Sequence, residues 1–138
     1  MRLLRRQLLT RALAAILATP PLAHADPLDL AVGQEWSVKD SPLKVVIGHI
    51  DQWGGGEIVV SVSLSNPPAG WAHWFSHIPF DKPALVASLD KLLATGVAPD
   101  TAFEARYQQW QSVHGGVFAV SVPQAVADGM QMLEGSAR

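Results

Sequence analysis

The chain has 138 residues, with ten Lys and Arg, twelve Asp and Glu, and no cysteine. The absence of cysteine excludes a disulfide-stabilised scaffold, a thiol nucleophile and a metal site built from thiolates. After residue 25 only six scattered basic residues oppose the twelve acidic ones, which gives residues 26–138 a formal charge of −6. We therefore expect neither nucleic acid nor an anionic lipid surface as a partner, whereas a basic partner is favoured.

Residues 1–25 have the organisation of a secretory signal peptide. An arginine-rich start without acidic residues precedes a short apolar run, and the segment ends in Ala-His-Ala, the small-x-small form of a signal-peptidase site. The apolar run is shorter than the roughly 20 residues that span a bilayer. We predict cleavage after Ala25, export to the periplasm or the medium without a stable membrane anchor, and a single domain formed by residues 26–138. The general secretory route is favoured over the twin-arginine route, although Arg5 and Arg6 are adjacent.

The first elements predicted along the chain are strands. Residues 34–39 alternate in polarity, and residues 44–51 and 57–64 are rich in β-branched side chains. The last two segments flank a loop that contains Trp53 and three glycines, which is typical of a β-hairpin. Residues 57–64 alternate between apolar and polar side chains, so we expect this strand to have one buried face and one wetter face.

The remaining elements are mainly helical. Residues 71–78 are aromatic and predict either a fourth strand, which we favour, or an irregular segment that ends at Pro79. A helix follows from an N-cap at Asp81 and carries an apolar stripe of Leu and Val side chains as far as Leu93.

Three further elements complete the prediction. A capping-box pattern at residues 101–104 starts a second helix, residues 117–122 read as a last strand, and a final helix has Pro123 in its first turn. The order β-β-β-(β)-α-α-β-α predicts an α+β domain. Its chiefly antiparallel sheet has four to five strands, and about three helices cover one face of it.

Two pairs of residues are candidates for metal or acid–base chemistry. His73 and His77 have the H-x₃-H spacing that places two imidazoles on one face of a helix, as zinc sites require. On a strand the two rings would lie about 13 Å apart, which favours a structural role. His49 and Asp51 share a strand face as a conceivable acid–base pair. No nucleophile elbow or phosphate loop is present, and no cofactor is implied.

Tryptophan is the more unusual feature of the sequence. Trp53 occupies the predicted hairpin tip, where a small domain buries a large side chain only with difficulty, and Trp71, Trp74 and Phe75 crowd one short segment. Aromatic side chains on loops are enriched at binding hot spots. We therefore interpret the chain as an exported binding protein, of an inhibitor, immunity or accessory type, that contacts a protein partner through these four residues.

Three alternatives remain open. The same four aromatic residues could pack into the core, as we expect for Trp36 and Trp110. They could instead stack on sugar rings in a glycan-binding module. The third alternative is a small hydrolase or metal-dependent enzyme that uses His49, His73 or His77 together with Asp51.

Overall fold

The computed structural model describes residues 29–136, so the predicted signal peptide lies outside the described residues. The strands are β1 (Glu35–Val38), β2 (Lys44–Gln52), β3 (Ile58–Leu64), β4 (Ile78–Asp81) and β5 (Leu89–Ala94). The helices are α1 (Lys82–Ser88), α2 (Phe103–Ser112) and α3 (Val122–Ser136). All neighbouring strands are antiparallel and their order is β4-β3-β2-β1-β5. The predicted α+β class, with one antiparallel sheet and three helices, is confirmed.

The predicted hairpin forms the middle of the sheet. The pairing of β2 with β3 runs from Val45 opposite Leu64 to Gln52 opposite Ile58. One extra residue of β2 interrupts the pairing after Ile47, so that His49 lies opposite Ser61. A β-bulge of this kind re-aims the side chains that follow it. Here it places His49 and Asp51 on the face of the sheet that also carries the serines of β3.

The opposite face of the sheet carries the hydrophobic core. Trp36 is fully buried there, as expected, together with Val and Leu side chains of β2 and β3. Helix α1 contributes Leu85 to this cluster, and α3 contributes Val122 and Val126. Burial of each large apolar side chain stabilises the fold by roughly 1.5–3 kcal/mol. These contacts hold α1 and α3 against the core face.

The face expected to be wetter is covered by α2. Ser61 and Ser63 are buried, and each has a hydrogen-bond partner: Ser61 Oγ bonds to His77 Nε2 at 2.9 Å, and Ser63 Oγ accepts the Asp100 amide at 3.3 Å. The expectation that helices cover only one face is therefore wrong. The two faces differ in chemistry, since one is sealed by apolar packing and the other by hydrogen bonds and aromatic rings.

A glycine at the bulge allows α2 to approach this closely. A Cβ atom built on Gly48 would lie 2.2 Å from Cζ of Phe103, far inside van der Waals contact. Phe103 is buried in the first turn of α2. The absence of a side chain at Gly48 thus sets the distance between β2 and the helix.

The aromatic segment after β3 differs from the prediction. Ala72–Phe75 forms a 3₁₀ turn, and the strand begins only at Ile78. Pro79 lies inside β4 instead of ending a strand before it. Because β4 is the edge strand of the sheet, the missing N–H of a proline can be tolerated there.

Two later elements also differ. The leucine stripe predicted as one helix divides at Ser88, where α1 ends and β5 begins, and β5 pairs with β1. The strand predicted at residues 117–122 is reduced to a single parallel bridge between Phe80 and Phe118. Within residues 29–136, no helix is long and apolar enough to cross a membrane.

Candidate binding cleft at the hairpin tip

Helix α2 is fixed to the sheet by a stack of rings. The imidazole of His49 lies flat on Tyr107, with centroids 3.8 Å apart and an interplanar angle of 5°. His77 also contacts the rings of α2: it meets Tyr107 edge-on with centroids 5.7 Å apart, and it lies tilted against Trp110 at 5.2 Å. The spacing of Phe103, Tyr107 and Trp110 places all three on the sheet-facing side of the helix. Both histidines therefore serve to pack α2 onto the sheet.

Hydrogen bonds join the same elements. His49 Nε2 lies 3.0 Å from Glu104 Oε1, and the Tyr107 hydroxyl donates to Asp51 Oδ2 at 2.8 Å. His49 and Asp51, considered as an acid–base pair, thus each bond to α2 and not to one another. Side chains two residues apart on a strand do not meet, and α2 supplies a separate hydrogen-bond partner to each of these two residues.

Two glutamines extend this network along α2. Gln111 Nε2 donates to the Tyr107 hydroxyl at 2.9 Å, and Gln108 Nε2 donates to Glu104 Oε2 at 3.0 Å. Each glutamine NH₂ group is therefore oriented by a carboxylate that accepts hydrogen bonds when ionised. Glu104 orients Gln108 directly, and Asp51 orients Gln111 through the Tyr107 hydroxyl. The amide orientation of both glutamines follows from these partners.

Burial and neighbouring charge fix the protonation states in this layer. Burial, followed by the nearby charge of His49, lowers the pKa of His77 to about 4. Burial, the hydrogen bond to Asp51 and the negative charges of Asp51 and Glu104 raise the pKa of Tyr107 to about 12. Hydrogen bonds from Gln108 and His49 lower the pKa of the Glu104 carboxyl. At neutral pH His77 is uncharged, Tyr107 keeps its proton and Glu104 is ionised.

A cleft opens where the hairpin tip meets the C-terminal end of α2. Trp53 stacks on Trp110 with centroids 5.7 Å apart and an interplanar angle of 18°, and 39% of Trp53 remains exposed. The cleft has a volume of about 660 Å³. Its lining residues come from the tip and from α2 and its C-cap: Trp53, Gly54, Gln108, Trp110, Gln111, Ser112, His114 and Gly115. Ligand sites commonly have volumes of this order. We call this feature the Trp53–Trp110 cleft.

The two tryptophans are held in place by the local backbone. The Trp53 amide donates to the carbonyl of Glu57 at 2.7 Å across the tip, and Trp110 Nε1 donates to the carbonyl of Gly116 at 2.9 Å. His114, which follows α2, has a φ of 50°, an unusual value for a residue with a side chain. This geometry belongs to the end of α2, because the His114 amide bonds to the Gln111 carbonyl at 3.2 Å and the Gly115 amide bonds to the Trp110 carbonyl at 3.0 Å, as in a Schellman C-cap.

The other aromatic residues proposed for binding lie at the opposite end of β3. Trp74 is 43% exposed and lies against His73, whereas Trp71 packs partly against the core. Phe75 is only 5% exposed and belongs to the core, so it is not available for direct contact with a partner. The seven residues of β3, about 20 Å at the usual rise, separate this segment from Trp53. The predicted aromatic residues therefore do not form one surface.

The two histidines proposed for metal binding have separate environments. His73 is exposed beside Trp74, while His77 bonds to Ser61 beneath α2. Among residues 29–136 no group of three or more His, Cys, Asp or Glu side chains is placed to hold a metal ion.

Most of the cleft could not be identified from the sequence. The sequence predicts a core position for Trp110, and no local pattern indicates that Gln108, Gln111 or Ser112 lines a site. The available signal was indirect: Phe103, Tyr107 and Trp110 recur at helical spacing, and β3 offers a face of small polar residues on which such a helix could lie.

Comparison with models of known protein families, with curated proteins and with solved structures finds no match to this chain. Any functional assignment therefore depends on the geometry of the cleft.

Proposed function

We propose that this chain is a small exported binding protein that contacts a protein partner through the Trp53–Trp110 cleft. The observation that carries the proposal is the position of Trp53, which stands 39% exposed at the hairpin tip and forms one wall of an open cleft. Tryptophan is the residue most enriched at binding hot spots, because it buries a large area when a partner covers it.

The arrangement is ordered before any partner arrives. Trp53 rests on Trp110, and Trp110 is held by its bond to Gly116 and by the ring of His77. Aromatic anchors that already occupy their bound position lose little conformational entropy on association. This rigidity supports a role in binding.

The charge of the exported domain indicates the kind of partner. Residues 26–138 carry a formal charge of −6, which steers association toward a basic surface. An inhibitor, an immunity-type protein or an accessory subunit of an envelope complex would each use a small acidic domain in this way.

The alternative of a hydrolase receives less support from the geometry. The hydroxyl of Ser61 is hydrogen-bonded to His77, but Ser61 is fully buried in the layer beneath α2. A nucleophile has to reach a substrate carbonyl, and this one lies under the helix. His49 and Asp51 are likewise engaged in holding α2.

Co-purification from an envelope extract tests the proposal, with Trp53→Ala as the variant and Trp74→Ala as the matched control. We expect Trp53→Ala to lose partners that both wild type and Trp74→Ala retain. The Trp53→Ala substitution should lower the free energy of unfolding by about 1 kcal/mol, because the stack on Trp110 is lost. Substitution of the fully buried Trp36 by Ala should lower it by about 3–5 kcal/mol. Identical partners for wild type and Trp53→Ala would contradict the proposal, and so would a loss of stability as large as that of Trp36→Ala.

Export is tested separately. We expect the protein recovered from the periplasm or the medium to begin at Asp26, as N-terminal sequencing or intact mass would reveal. An N-terminus that retains residues 1–25 would contradict the predicted signal peptide.

A further inference from the structure

We infer that the Trp53–Trp110 cleft accepts a guanidinium group, presented as an arginine side chain by the protein partner. This inference rests on the proposed function and names the chemistry that the cleft recognises. Three independent features lead to it: the orientation of two amide groups, the electrostatics of the end of α2, and the stacked indoles.

The amide groups of the cleft present acceptors. The single proton of the Tyr107 hydroxyl is donated to Asp51, so this hydroxyl can only accept from Gln111, whose NH₂ group therefore faces Tyr107. The NH₂ group of Gln108 faces the Glu104 carboxylate for the same reason. The side-chain oxygen of each glutamine has no partner among residues 29–136. Guanidinium has five donors and no acceptor, so it complements these oxygens.

The end of α2 favours a positive charge. The cleft residues from Trp110 to Gly115 lie at the negative end of the α2 dipole. The last turn of α2 has no basic residue, and neither Lys nor Arg lines the cleft. The Glu104 carboxylate stands directly behind Gln108, 3.0 Å from its Nε2. A cation would meet no repulsion from a lysine or arginine here.

The stacked indoles select a flat cation. The face of a tryptophan attracts cations more strongly than other aromatic faces do, and the planar guanidinium can stack on it while its edge still donates hydrogen bonds. Trp53, backed by Trp110, offers such a face at the rim of the cleft. A lysine ammonium would satisfy the charge but not the stacking.

The test follows the indole N–H signals of the full mature protein by NMR during titration. The probes are a capped peptide with one arginine, the same peptide with citrulline, whose neutral urea group has nearly the same shape, and chitotriose as a glycan. We expect the arginine peptide to shift the Trp53 and Trp110 signals saturably and the citrulline peptide to bind about fivefold more weakly. Equal binding of the two peptides, no shift with the arginine peptide, or shifts with chitotriose alone would each overturn the inference.

Charge variants at one exposed position provide the second measurement. Relative to the uncharged reference Ser112→Gln, Ser112→Lys should weaken binding of the arginine peptide about threefold at low salt, and Ser112→Asp should strengthen it about threefold. A lysine at the end of a helix also favours the helix, so weaker binding by Ser112→Lys would not reflect unfolding. The same affinity in all three variants would overturn the inference. If co-purified partners still depend on Trp53 while these titrations fail, only the guanidinium assignment is lost and the binding function stands.

Discussion

Acid should destabilise this protein through His77, whose imidazole lies between the sheet and α2. Burial and the charge of His49 lower the pKa of His77 from 6.5 to about 4. In the unfolded chain the imidazole regains its ordinary pKa, so between these two pH values the unfolded state binds a proton that the folded state excludes. The contribution of His77 to stability is therefore complete above pH 6.5, falls as the pH falls, and is lost at about pH 4.

The size of the effect follows from the same pKa values. Each tenfold change in a protonation constant corresponds to 1.36 kcal/mol, so the fall from 6.5 to about 4 sets an upper limit of about 3.4 kcal/mol. The ring of His77 is only partly buried, and solvent screening reduces this limit. We expect a loss of about 1–2 kcal/mol in the free energy of unfolding.

Urea denaturation at about pH 7.5 and about pH 4.5 measures the loss, with His77→Gln as the control. Glutamine keeps a donor and an acceptor for Ser61 but does not titrate, so the wild type should lose about 1–2 kcal/mol more than the variant. Glu104, whose lowered pKa also weakens the fold in acid, acts alike in both proteins. Parallel losses in the two proteins, or an NMR titration of His77 centred near pH 6.5, would refute the reasoning.

Two further substitutions test how α2 is held. Gly48→Ala should force the Phe103 ring to move and lower the free energy of unfolding by about 1–3 kcal/mol, whereas Gly116→Ala, which faces open space, should change it by less than about 0.5 kcal/mol. Similar denaturation midpoints for these two variants would contradict the packing described. Tyr107→Phe should cost about 1 kcal/mol because Asp51 loses its donor. It should also remove the alkaline destabilisation expected in wild type above pH 10, where an unfolded tyrosine ionises before one whose pKa is raised to about 12. Unchanged alkaline denaturation in Tyr107→Phe would count against this account.

The hairpin could be predicted because its signals are local. β-Branched residues on both sides of Trp53 and the glycines admit few other structures, and the alternation in β3 places Val60, Val62 and Leu64 toward the core. The glycine at position 48 indicates a bulge or a close backbone contact, but it does not indicate which element makes that contact. The contacting element is α2, whose residues lie about 55 positions further along the chain, as in the bond from His49 to Glu104.

The change from helix α1 to strand β5 at Ser88 is a second feature that local sequence patterns do not predict. Leu85 and Leu89 are four residues apart, which suits one face of a helix, yet Leu89 lies opposite Val38 in the sheet. The choice between helix and strand depends on β1, whose outer edge needs a partner. Ser88 marks the change, since its hydroxyl accepts the amide of Val122 from α3. No periodicity within residues 82–94 contains that information.

Trp110 shows why the candidate site was only half predicted. Its spacing from Phe103 and Tyr107 correctly indicates the sheet-facing side of α2, but the last turn lies at the tip of the β2–β3 hairpin, where a cleft opens beside Trp53. Exposure of Trp53 could be inferred from its place in a glycine loop. The identity of the residue beneath it required the docked helix.

The polar attachment of α2 has a consequence for motion. Phe103 and Tyr107 are its buried side chains, while α1 and α3 join the main apolar cluster. Local unfolding selects the elements with the least apolar contact, so we expect amide protons of α2 to exchange with solvent sooner than those of β2 and β3. The cleft is formed in the native state, and only a rare local unfolding of α2 would separate Trp110 from Trp53. A ligand bound in the Trp53–Trp110 cleft should stabilise α2 against this local unfolding. Slower exchange of the α2 amide protons would then indicate binding.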